Sequence, residues 1–216
     1  MPLRTECPRC PAPLGGPAEG RAVAEHGWSC PDHGPTPVLR RPEEASYDGF
    51  AEHLATAGEF PTYLPWPMSP GWTVSDFAVV GEGPARATMT CSSGTSALDG
   101  PVDVFVVSEE TGTGLGARCA GTSHVDPGPD VGAGPPMVRV RIGSQPVQLW
   151  AVSTAGDDHE LDRSVVAGEA GGRWLWVVVR PASAVLLLRE EWILRDVSGI
   201  GPLLVEVPFG GPSPAW

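Results

Sequence analysis

Lysine is absent from this chain: all 14 basic residues are arginine. That excludes a lysine Schiff base and a lysine-bearing phosphate loop, since both chemistries need a primary amine. Long apolar runs are missing too. The longest, 174–179 and 184–188, fall far short of the ~20 residues that span a bilayer, so no membrane association is expected. The opening residues Met1-Pro2-Leu3-Arg4 lead directly into a cysteine pair, without the apolar stretch of a signal peptide. Positive charge is scarce: 26 acids give a formal net charge of −12. Residues 1–42 carry five arginines against four acids, whereas the remainder carries nine against 22. An acidic body repels phosphate backbones, so nucleic acid is not an expected partner. No Gly-x-Ser-x-Gly elbow occurs, so an α/β-hydrolase nucleophile is not expected either.

What is abundant is glycine (28) and proline (25), together roughly a quarter of 216 residues. Without a period, that composition signals many turns and linkers. With 41% hydrophobic residues the chain can still bury a substantial core. Five cysteines, an odd number with no export signal, point to a reducing cytoplasm.

Four of the metal-ligand candidates stand in two matching pairs, Cys7-Pro-Arg-Cys10 and Cys30-Pro-Asp-His33-Gly34. Zinc takes four tetrahedral ligands, and thiolate and imidazole both suit it. A Cys-x-x-Cys pair places both sulfurs on one ion while the backbone turns, and Cys30/His33 repeats the spacing with one imidazole. Gly34 can supply the positive φ that a tight knuckle often needs. His26 is the alternative to His33. A redox Cys-x-x-Cys pair would need a βαβ context that the surrounding sequence lacks. Four protein ligands leave no position for water or substrate, so the expected ion is structural: it holds together a segment too small for its own core.

The rest reads as α+β, mostly β. A zinc-ribbon-like module (1–36) precedes a linker and helix (37–60), a predominantly antiparallel β domain (61–207) and a flexible tail (208–216). The helix is expected over Glu43–Ala57, closed by Gly58, with His53 off its apolar stripe and solvated. Strands are expected at 73–80, 85–91, 102–108, 137–142, 147–152, 173–180, 184–189 and 192–197. Val138, Val140 and Ile142 alternate with Arg139 and Arg141, as on a strand with one wet face. Trp174–Val179 is apolar on both faces and reads as a covered central strand. "PTYLPWPMSPGW" (61–72) is too proline-rich for a helix or central strand and is expected extended, pinned by Trp66 and Trp72.

The glycine stretch 108–121 offers a second candidate site. Gly112, Gly114 and Gly116 with Arg118 could form a nest for a phosphate or carboxylate. The loose dinucleotide fingerprint Gly112-x-Gly114-x-x-Ala117 lacks the helix, strand and acid that should follow. Cys119 with His124, the Ser123-His124-x-Asp126 cluster, and the acidic run Asp157-Asp158-His159-Glu160 with Asp162 form no catalytic set. Glu109-Glu110 and Glu190-Glu191 read as surface charge.

The zinc-ribbon-like head, "PWPMSPGW", "GTGLGARCAG" followed by "DPGP", and "VVAGEAGGRWLW" together resemble an uncharacterised protein family of high-GC actinobacteria. The resemblance implies an intracellular protein and brings no established activity. Automated labels on similar proteins suggest a phosphotransacetylase, a chemistry for which the chain has no supporting residues. The sequence thus leads to a non-catalytic, zinc-stabilised binding or adaptor protein with a protein partner. The alternative is a protein, or an enzyme, that binds a small anionic metabolite through the 112–121 loop.

Overall fold

The computed structural model describes residues 3–15, 27–154, 162–189 and 192–216. In chain order the elements are β1 (Leu3–Cys7), β2 (Cys10–Pro13), β3 (Ser29–Cys30), β4 (Gly34–Pro35), β5 (Leu39–Pro42), α1 (Tyr47–Ala57), β6 (Tyr63–Pro65) and β7 (Thr73–Val80). They continue with β8 (Ala87–Ser96), β9 (Gly100–Glu109), α2 (Leu115–Ala120), β10 (Val138–Ile142), β11 (Gln145–Ala151), β12 (Ser164–Ala170), β13 (Arg173–Arg180) and β14 (Ile193–Asp196). Among the described residues, twelve strands form one sheet in the order β2-β1-β5-β7-β8-β9-β13-β12-β11-β10-β14-β6, while β3 and β4 pair separately. Neighbours in the large sheet are antiparallel except β10 and β14. The class is mostly β with few helices, as the sequence implies.

Both faces of the sheet centre are covered, which is why β13 is apolar from Trp174 to Val179. Phe105 and Val107 of β9 share one face with Trp176 and Val178, and α2 covers them with Leu115, Ala117, Cys119 and Ala120. Val104 and Val106 share the other face with Leu175, Val177 and Val179, under Val138, Val140, Val147 and Leu149 of the β10–β11 hairpin. The sheet therefore folds over itself, and the fold lies where β11 parts from β12. Those strands pair only through Trp150 and Ala151. A Cβ on Gly168 would sit 2.1 Å from the Gln148 carbonyl oxygen; only glycine lets the two backbones approach this closely.

Several expectations are corrected. The helix begins at Tyr47 because Ser46 caps it, its hydroxyl accepting from the Gly49 N–H. His53 is buried, stacked on Phe50 at 5.3 Å, because α1 packs against Phe77 on one side and Phe209 on another. The expected strand at 184–189 is a 3-10 helix, Ala182–Arg189, that drops Ala184 and Leu188 into the second face. A short run of leucines does not distinguish the two by periodicity. Across the boundary expected at residue 36, β1 pairs with β5 and β5 with β7. Pro208–Trp216 is tied down rather than loose. Its Pro208 carbonyl and Gly210 N–H bond the Val74 backbone, and Trp216 Nε1 donates to Asp76 at 2.7 Å.

Candidate metal centre

Two hairpin knuckles bring the ligands together. β1 ends at Cys7 and β2 starts at Cys10, with the two residues paired across the Pro8-Arg9 turn. The Arg9 N–H donates to Cys7 Sγ at 3.4 Å, which fixes the turn. The second knuckle repeats this between β3 and β4: Cys30 pairs with Gly34, whose φ of 67° lets the chain turn back past His33. Ligand atoms of Cys7, Cys10, Cys30 and His33 all lie within 4.8 Å of one another.

The individual edges test the fit to an ion. His33 Nδ1 is 3.6 Å from Cys7 Sγ and 3.5 Å from both Cys10 Sγ and Cys30 Sγ, and Cys10 Sγ is 3.6 Å from Cys30 Sγ. A tetrahedral ion with bonds of about 2.3 Å to sulfur and 2.0–2.1 Å to nitrogen demands edges of about 3.8 Å (S···S) and about 3.6 Å (S···N). The four side chains therefore lie close together in an arrangement that could bind a metal. The cysteines are free thiols, and 3.6 Å is far beyond a disulfide bond. Cys7 and Cys30 are buried, Cys10 is half-buried and His33 is exposed. His26, the alternative ligand, lies outside the described residues.

The glycine stretch is engaged by the knuckle and by the protein's own acids. The Arg118 guanidinium donates to the Cys7 carbonyl at 2.7 Å and pairs with Glu6 at 2.5 Å, and it is almost fully buried. Its carbon lies 4.3 Å from the Trp216 ring centroid, and Arg41 lies 4.6 Å from that same ring. Arg9 donates to the Gly112 carbonyl at 2.8 Å, and the Gly112 N–H donates to Asp126 at 2.8 Å. Gly114 takes φ 86° beneath the Arg9 side chain. Gly116 is pressed against Trp176, whose indole nitrogen would lie 2.2 Å from an added Cβ.

Glu109 occupies the place where the nest would hold a ligand. Its Oε2 accepts from the Leu115 and Gly116 N–H groups at 2.8 and 3.2 Å, and its Oε1 accepts from Trp176 Nε1 at 2.6 Å. At the expected anion site of Gly112, Gly114, Gly116 and Arg118, carboxylates of the chain itself thus accept from the Gly116 and Gly112 N–H groups and pair with Arg118. The expectation that Glu109 is surface charge is corrected, for the residue is fully buried. Burial pushes its carboxyl up to about 7, against the three donors that favour the charged form.

The remaining candidates are not assembled into reactive sets. Cys119 is fully buried and burial pushes its thiol up to about 12, which makes it an inert core residue. Among the described residues no hydrogen bond joins it to His124, which is exposed. Asp126 braces Gly112 instead of facing His124. Asp162 pairs with Arg163 at 2.7 Å, whereas Asp157, Asp158, His159 and Glu160 lie outside the described residues, as do Glu190 and Glu191. Sequence reasoning missed the Glu6–Arg118 pair and the Arg41–Asp76–Trp216 cluster. Their partners are far apart in the chain, and no local pattern announces them. No described helix is long and apolar enough to cross a membrane.

No match was found among curated proteins or among solved structures. A family model does match, over residues 1–216, and the chain belongs to that family: a family of unknown function, DUF6758.

Proposed function

We propose that this chain is a cytoplasmic, non-catalytic binding or adaptor protein whose amino-terminal knuckles are held by a structural zinc ion. The observation that carries the reading is the donor set: three thiols and one imidazole nitrogen within 4.8 Å of one another, four of the six edges being 3.5–3.6 Å. Sulfur-rich tetrahedral sites favour zinc over hard cations, which prefer oxygen. Four ligands from the chain fill the coordination sphere, leaving no position where an ion could activate water. When bound, the ion would supply cross-linking. The surrounding residues do the rest: the Arg9 N–H steadies the Cys7 thiolate, Gly34 turns the chain, and Arg118 anchors the Cys7 carbonyl to the sheet. Five free thiols fit a reducing compartment.

Elemental analysis of gently purified full-length chain tests the metal. About one equivalent of zinc is expected, falling below half in a C7S/C10S variant. Less than half an equivalent in the unmutated chain refutes the reading. Capture from native cells tests the adaptor role. A partner retained by the loaded chain and lost on chelation supports it, and a chain that captures the same proteins with and without metal refutes a zinc-organised surface.

A further inference from the structure

A cleft of about 500 Å³ lies at the fold where β11 parts from β12, and none of its lining residues belongs to the Cys/His centre. Its chemistry comes from six side chains: Tyr63 on β6, Gln145, Gln148 and Trp150 on β11, Glu169 on β12 and Trp174 on β13. Glu169 and Trp174 are direct cross-strand partners, so they stand side by side on one face. Ala167 shares that face with Glu169 and lies opposite Trp150; Gln148, two residues before Trp150, follows on the same side.

Two groups here have polar atoms without partners. Trp174 Nε1 is buried and makes no hydrogen bond among the described residues. Tyr63 is 7% exposed, and none of its hydrogen bonds among the described residues involves the hydroxyl. A buried donor left unpaired costs on the order of 1–3 kcal/mol, and Trp174 Nε1 is such a donor. Gln145, Gln148 and Glu169 likewise have no side-chain partner among the described residues and are exposed to the cleft.

We propose that this cleft binds a neutral, hydroxyl-rich ring, a sugar residue. Indole and phenol faces stack on the C–H face of such a ring, while amides and a carboxylate bind its hydroxyls. A sugar hydroxyl both accepts, from Trp174 Nε1 and Tyr63, and donates, to Glu169 and the glutamine carbonyls. Neither arginine nor histidine lines the cleft among the described residues, which disfavours phosphates and carboxylates. A quaternary ammonium would suit the aromatic rings and Glu169, but it has no lone pair to accept from Trp174 Nε1.

The test is a panel of immobilised mono- and oligosaccharides presented to the metal-loaded full chain, followed by calorimetry of any hit. Choline and adenosine serve as competing ligand classes. Saturable binding of at least one saccharide is expected. Trp174→Phe keeps a ring but removes the N–H and should weaken it roughly two- to tenfold, as should Gln148→Ala at an exposed position. The proposal is overturned if no saccharide binds at tens of millimolar, or if binding survives both substitutions unchanged. It is equally overturned if only choline or adenosine binds.

Discussion

Replacing Glu109 with glutamine tests how burial and hydrogen bonding compete at one carboxyl. In the folded chain that carboxyl sits at about 7 instead of the ordinary 4.5, because burial outweighs three donors. A raised carboxyl means that the folded state holds its proton more tightly than the unfolded state. Stability from this group is therefore fully present below about 4.5 and is lost as pH rises through about 7. Integrating the two titrations between pH 5 and pH 8 gives a loss of about 2–3 kcal/mol. His53 works in the opposite direction. Burial holds its imidazole down to about 3 from 6.5, so its contribution is lost as pH falls through that range. The two slopes overlap, and the stability profile of the unmutated chain alone does not separate them. The difference between it and Glu109→Gln does, since glutamine does not titrate and His53 is common to both. Urea unfolding of the metal-loaded proteins at one-unit steps from pH 5 to pH 8 should show that difference shrinking by about 2–3 kcal/mol. The variant should be the weaker protein at pH 5, because its amide must turn N–H groups toward either Trp176 Nε1 or the α2 amides. Parallel curves would refute the argument and mean that the three hydrogen bonds, not burial, set the acidity.

Further substitutions at three positions probe the surroundings of the centre. Trp216→Ala removes one hydrogen bond to a buried carboxylate and two cation–π contacts, so a loss of about 2–4 kcal/mol in urea unfolding is expected. Trp216→Phe should recover part of it, and an alanine variant within about 0.5 kcal/mol of the parent would show the cluster to be incidental. Gly116→Ala drives a methyl into Trp176 and threatens its bond to Glu109, whereas Gly112→Ala meets open space and only the strain of φ 81°. The first should cost more than about 2 kcal/mol and the second about 1; thermal melts that reverse this order would contradict the packing described.

The Cys/His cluster was legible because coordination imposes spacing: two residues between donors is what a turn around one ion needs. β13 and β10 were legible for a similar reason, their apolar patterns reporting one covered face or two. Glu109 and Glu110 show where such reading stops. They are chemically identical neighbours at the end of β9, yet the first points beneath α2 while the second meets Arg86 at 3.2 Å in solvent. Only the register of β9 against its neighbours decides which is which. The glycine stretch misled for a related reason. Its N–H groups do converge on an anion, but the anion is supplied six residues upstream by the strand that precedes it. Arg118, read as a ligand anchor, finds its carboxylate and carbonyl more than 100 residues away, at Glu6 and Cys7. Gly168 looked like any strand glycine until the sheet folded over it.

These contacts set how a metal bound at the Cys/His cluster would act on the sheet. Within residues 3–15 and 27–35 the buried positions are Cys7, Pro8 and Cys30, so the knuckles have almost no apolar core of their own. An ion joining Cys7, Cys10, Cys30 and His33 would supply what hydrophobic burial does not. Such an ion would also fix the backbone of Cys7, whose carbonyl takes one Arg118 bond while the neighbouring Glu6 takes the other. If the ligands separate, Arg118 loses both partners yet stays lodged among α2, Trp216 and the sheet, and its Nε already has no partner. Removing one partner of a buried ion pair costs about 3–5 kcal/mol, because the charge left behind is uncompensated. Metal binding at the knuckles would therefore act on the sheet through the Arg118 guanidinium of α2.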